Sequence, residues 1–153
     1  MNSLDALRDN LVSKEVSAPG AGSAVDAHVS LAVGLNERME AEPDIDRIVP
    51  VSKRGMMREN HANHFRYMHS VTRVFSPGEF VETVAWALRT YRGHGFTLDY
   101  WRRMLPHCME LTRSRLQPEE ARFLSTLYEW ILENLDALGV ITTPSGETEG
   151  GQR

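Results

Sequence analysis

The chain reads as an all-α protein of about six helices, and three observations lead there. Apolar residues recur at steps of three and four along most of its length. No stretch alternates apolar with polar residues as a half-buried strand would. Proline, glycine and capping hydroxyls punctuate the helical stretches at short intervals. Amphipathic helices joined by short loops bury their apolar stripes against one another, which makes an α/β domain the weaker reading.

The first helix covers residues 3–14, where Ser3 can cap the start and Leu4, Leu7 and Leu11 form one apolar line. SAPGAGS at 17–23 clusters helix breakers and reads as a flexible linker. The second helix runs over 24–41 with Val25, Val29, Ala32, Leu35 and Met39 on one side, and Gly34 either weakens it or permits a close helix crossing. Pro43 opens a short turn of helix through Ile48, which Pro50 stops. The third helix begins after Ser52 and runs to about Phe75. The fourth starts at Ser76-Pro77-Gly78-Glu79, where a capping hydroxyl is followed by proline at the first helical position and a glutamate three residues after the cap. It carries Phe80, Val81, Val84, Leu88 and Tyr91 inward and ends at Gly93. The fifth begins at Thr97 and continues to Leu116, with a kink expected at Pro106. The sixth starts at Pro118, with Glu119 and Glu120 suiting the positive end of its dipole, and buries Leu124, Leu127, Ile131, Leu135 and Leu138. The domain reading is therefore an N-terminal helix and flexible linker at 1–22, a helical domain at 23–141, and a tail at 142–153 that lacks apolar residues and is expected to stay disordered.

Composition narrows the function classes. The 153 residues are 41% apolar and 25% charged, ordinary for one globular domain. No apolar run reaches the ~20 residues of a membrane span, and the start MNSLDALRDN lacks the pattern of a signal peptide. Cys108 is the one cysteine, which leaves no internal disulfide and no multi-cysteine zinc site and points to the reducing cytoplasm. Residues 53–115 hold eleven Lys/Arg against five Asp/Glu, within a chain of net charge −4. That basic middle either gathers an anion or pairs with the acidic ends, and pairing is the favoured reading. Without aromatic–basic interleaving or a recognition-helix motif, nucleic acid is disfavoured as a partner.

The third helix carries the most informative residues. Met57, His61, His64, Met68, Val71 and Phe75 follow steps of four and three and share one face. Two imidazoles thus lie in an apolar stripe, where each polar atom left unpaired costs about 1–3 kcal/mol. Three readings follow: core histidines bonded to neighbours, the lining of an apolar ligand pocket, or a metal site. The last lacks a His-Glu-x-x-His motif. His69 falls off this face and is expected in solvent. His94 lies between Gly93 and Gly95, just past the fourth helix. The adjacent His107 and Cys108 point in different directions on a helix, which disfavours a thiolate nucleophile.

A short first helix, a second helix, one turn of helix and four longer helices broken at 76, 93–97 and 117 resemble the helix order of globin-like domains. The stretch from HFRYM to LSTLYEWILENL, with its Ser-Pro-x-Glu-Phe start and Trp-containing fourth helix, is similar to the haem-free sensory globins of the stressosome-regulator type. The resemblance implies a globin-like packing and a ligand, with haem or another tetrapyrrole as candidate, between the third and fourth helices. It implies His94 as proximal iron ligand, His61 or His64 as distal residue and Arg58 or Arg92 as propionate partner, with Met68 and Tyr91 facing the same interior. The alternative it implies is a haem-free regulatory interaction module, dimeric through its first and sixth helices. A histidine–metal hydrolase is the weakest reading, and no residue is assigned as catalytic.

Overall fold

The computed structural model describes residues 3–144, and among them every regular element is helical: α1 (Ser3–Val12), α2 (Val25–Val29), α3 (Leu31–Glu40), α4 (Ile45–Ile48), a 3-10 turn (Val51–Lys53), α5 (Arg54–Arg73), α6 (Pro77–Gly93), α7 (Leu98–Arg115), α8 (Pro118–Glu133) and α9 (Leu135–Ile141). Two predicted helices are each split in two. The second breaks at Ser30, whose hydroxyl donates to the Ala27 carbonyl at 2.8 Å. The sixth breaks at Asn134, whose side-chain amide donates to the Trp130 carbonyl at 2.8 Å. Both are short polar side chains that offer the backbone an alternative to the helical ladder. The start of α6 is as the sequence indicates: Pro77 occupies the first turn and the Ser76 hydroxyl accepts from the Glu79 amide. α7 continues as one helix through Pro106.

α8 lies at the centre of the core, with Leu124, Leu127, Tyr128 and Trp130 fully buried. α7 packs along it, and α3 crosses both α7 and α5. At the α3–α7 crossing a side chain on Gly34 would press on Leu111, so the absence of one lets the two backbones approach. α6 is seated between α1 and α9 instead of lying directly on α5. This leaves a cleft between α5 and α6.

The basic middle pairs with the acidic ends. Arg58 meets Glu40 at 2.6 Å, Arg102 meets Asp136 at 2.6 Å, Arg103 meets Glu42 and Asp44 at 2.7 Å, and Arg54 meets Asp46. Most of these pairs are exposed, so each adds little stability.

The segment read as a flexible linker is tied to the domain. The Gly20 amide donates to the Thr72 carbonyl at 2.9 Å, and the Ser23 amide and hydroxyl both donate to the Glu120 carboxylate at 2.5 and 2.7 Å. With Leu7 and Leu11 of α1 buried, residues 3–22 pack as part of the domain that follows them. Of the expected tail, Thr142 is buried and residues 145–153 lie outside the described residues.

Candidate functional site

α5 carries a stripe at 57, 61, 65, 68 and 72 into the core, which buries Met57, His61, Phe65, Met68 and Thr72. Phe65, which the sequence reading omitted from that stripe, is wholly buried, and His64 sits one position to its side, half-buried. The two imidazoles therefore have different surroundings.

His61 is enclosed and bonded at both nitrogens. Asn36 Oδ1 lies 2.6 Å from Nδ1 and can only accept, so Nδ1 carries the proton. Nε2 is left to accept from the Tyr100 hydroxyl at 2.9 Å. Burial, and after it the neighbouring His64, push its pKa down to about 3, so it is neutral at pH 7. His64 is hydrogen-bonded through Nε2 to the Tyr128 hydroxyl at 2.9 Å, and burial pushes its pKa down to about 4. Burial also raises both tyrosines well above their ordinary range. Asn36 and Tyr128 were not singled out in the sequence, and Tyr100 was grouped with Tyr91 and Trp101, because each is distant in the chain from the histidine it meets.

Beside His64 the α5–α6 cleft holds a cavity of about 70 Å³. From α5 it is lined by His64, Tyr67 and Met68, and from α6 by Phe80, Thr83, Val84 and Ala87. Trp101, Met104 and Leu105 of α7 and Ile131 of α8 form its floor. The Tyr67 phenol and the Thr83 hydroxyl both border the cleft, one from each wall. The lining is mostly apolar, with the His64 ring, Tyr67 and Thr83 as its polar members.

The other sequence candidates lie elsewhere. Tyr91 is half-buried in an aromatic group with Phe96 and Trp101 at ring separations of 5.7 and 6.4 Å. Arg92 donates to the Gly139 carbonyl at 2.8 Å and to the Thr142 hydroxyl at 3.2 Å, at the end of α9. His94 caps α6 from outside and is exposed, its Nδ1 3.4 Å from the Lys53 ammonium. The structure thus brings His64 and Met68 to one cavity, sets His61 behind it, and leaves Arg92 and His94 outside its lining. Arg58 pairs with Glu40. His107 turns to Glu42 at 3.0 Å, while the buried Cys108 thiol donates to the Met104 sulfur at 3.2 Å. Burial raises the Cys108 pKa and keeps it a thiol.

A second polar cluster was not anticipated. His28 is fully buried, with Nε2 3.4 Å from Glu120 Oε1 and with no partner for Nδ1. His69, expected in solvent, meets His28 edge-on at 4.9 Å, and Arg73 donates to the Ser23 carbonyl at 2.9 Å and to His69 Nε2 at 3.3 Å. Burial pushes the Glu120 carboxyl up, but the hydrogen bonds from Ser23 and His28 outweigh it and hold the pKa below its ordinary value. Among the described residues, no three His, Cys, Asp or Glu side chains are grouped to hold a metal ion.

Fold and site define a helical domain with a small, largely apolar cavity in the cleft between α5 and α6. No protein family, no curated protein and no solved structure matches the chain. No helix among the described residues is long and apolar enough to cross a membrane.

Proposed function

We propose that the chain is a globin-like cytoplasmic sensory domain that works without haem and takes a small, predominantly apolar ligand between α5 and α6. The observation that carries this reading is the cavity of about 70 Å³ with His64 on one wall and Phe80, Thr83, Val84 and Ala87 on the other. An apolar cavity of roughly 150 Å³ accommodates benzene or xenon, so this one suits a molecule of gas-like size. The helix order, with α3 crossing α5 and α7 and with α7 lying on α8, supports the globin-like part of the proposal.

The residues present do not fit haem in this arrangement. A cofactor pocket runs to about 300–1,000 Å³. None of the four α6 side chains on the cavity is among the histidine, cysteine, methionine and tyrosine that hold haem iron. His94 is exposed beside Lys53, Arg92 is engaged at the end of α9, and His64 is engaged with Tyr128. The haem-free form of the globin-like reading is therefore the better supported.

A ligand acting on His64 would act on α8 through Tyr128, and behind it His61 ties α5 to Tyr100 of α7 and Asn36 of α3. These links suit a sensor, which must pass occupancy on to its helices. The test is titration with xenon, followed by the amide spectrum of the ¹⁵N-labelled chain, alongside titration with haemin. Saturable shifts centred on Met68, Ala87 and Met104, abolished by Ala87→Leu, are expected, with no stoichiometric Soret band. A stoichiometric Soret band that His64→Ala removes would overturn the haem-free reading. Xenon shifts that survive Ala87→Leu would overturn the ligand site.

A further inference from the structure

α6, the outer wall of the cavity, is held from outside by α1. Leu7 and Leu11 are buried there, Arg8 lies over Gly78, and the Trp130 indole donates to Asn10 Oδ1 at 2.9 Å. From α1 the chain returns to α2 through residues 13–24, and that return is fastened at its far end. Ser23 gives both its amide and its hydroxyl to Glu120, while Arg73 takes the Ser23 carbonyl at 2.9 Å and the Gly22 carbonyl at 3.4 Å. Gly22 has φ +152°, and a side chain on it would overlap the Glu120 carboxylate. Position 22 therefore accepts only glycine while the fastening is closed.

We propose that α1 and residues 13–24 form an acid-releasable latch, bolted by Ser23, His28, His69, Arg73 and Glu120, that holds α6 against the domain. The groups facing one another are Ser23 of the segment, His28 of α2, His69 and Arg73 of α5, and Glu120 of α8. With His28 neutral, the Glu120 carboxylate is faced by the Arg73 guanidinium, which holds the Ser23 carbonyl beside it. A proton on His28 would upset that arrangement and give its buried Nδ1 a hydrogen with nothing to accept it. A proton on Glu120 would weaken it as the acceptor of two Ser23 hydrogen bonds. Opening relieves both, because the groups then meet water.

The direction of the His28 shift agrees. Burial lowers its pKa below 6.5, against the pull of Glu120. A group with a depressed pKa in the closed form adds stability above its free value and loses it as pH falls through the closed-form value. The latch is therefore closed at neutral pH and loosens on acidification below about 6.5. Its bearing on ligand entry rests on the cavity reading above, whereas the latch itself does not.

The experiment follows the Trp130 indole N–H in the ¹⁵N-labelled full chain, assigned with Trp86→Phe and Trp101→Phe, as pH is lowered from 7.5 to 5. The protection factor of that proton, the intrinsic exchange rate divided by the observed one at each pH, is expected to fall about tenfold while far-ultraviolet circular dichroism keeps its helical signal. Base-catalysed exchange slows as pH falls, and dividing by the intrinsic rate at each pH removes that slowing. Gly22→Ala should give the fast-exchanging peak already at pH 7.5, and Ser23→Ala should do so in part. His28→Gln, which can still donate to Glu120 but cannot titrate, should flatten the pH dependence. The latch is rejected if Gly22→Ala and Ser23→Ala, both folded, keep the indole protected, or if peak and helical signal vanish together. Xenon titration of the same samples at pH 7.5 tests the cavity separately: its failure beside an intact pH transition removes the ligand reading alone.

Discussion

The Tyr100 hydroxyl stands 2.9 Å from Nε2 of His61, and the same ring donates from Nδ1 to Asn36 at 2.6 Å. One imidazole thereby joins α5 to α7 and α3, the helices whose crossings form one side of the core. A neutral ring with both nitrogens bonded is a satisfied buried group, and its value lies in what its loss would leave unpaired.

Tyr100→Phe removes the hydroxyl and leaves Nε2 of His61 enclosed without a donor. The expected cost is about 1–3 kcal/mol, measured by urea unfolding. Adding His61→Leu should cost less than the sum of the two single changes, because the second substitution removes the orphaned atom. Strict additivity would mean that the two side chains do not interact.

Acid should weaken the fold through the same histidines. Their folded-state values, about 3 for His61 and about 4 for His64, lie below the ordinary 6.5, so the unfolded chain binds more protons wherever the two states differ. Stability is then full above about pH 6.5 and falls as pH drops toward 4. In urea titrations at a series of pH values, His64→Gln should show a shallower fall than the parent chain. An unchanged slope would remove His64 as a contributor.

The sequence made local features legible and hid those set by distant partners. The start of α6 was readable because Ser76, Pro77 and Glu79 fix it within one turn. The apolar face of α8 was readable from its spacing. Glu120 was assigned to the dipole of its helix, yet it lies buried under Ser23, a residue 97 positions earlier that nothing local connects to it. His61 and His64 were identified as inward-facing, but Tyr100 and Tyr128 come from helices 39 and 64 positions away, and only packing selects them. Asn134 did carry a local signal, since asparagine often competes with the helical ladder, and the unbroken apolar pattern around it masked that signal.

Cys108 should resist thiol reagents in the folded chain. Its sulfur is fully buried, and burial raises its pKa, so neither access nor thiolate is available. Labelling by an aromatic disulfide reagent at pH 7.5 is expected only at the rate of unfolding, with full reaction in denaturant. Rapid stoichiometric labelling without denaturant would mean that α7 and α8 part locally.

At the α3–α7 crossing, Gly34 faces Leu111, whose Cδ2 would stand 2.9 Å from a Cβ at position 34. Alanine there gains helix propensity of about 1 kcal/mol, and the contact it creates is with the end of a flexible side chain, so Gly34→Ala should be tolerated. Leucine is different, because Leu111 is itself buried and has little room to withdraw. Gly34→Leu should force the two helices apart and destabilise by about 1–3 kcal/mol, lowering the thermal midpoint. Since α3 also supplies Asn36, the same variant should disturb His61, which its imidazole resonances would report. Equal thermal midpoints for the alanine and leucine variants would show that the crossing is looser than the close approach of Gly34 to Leu111 requires.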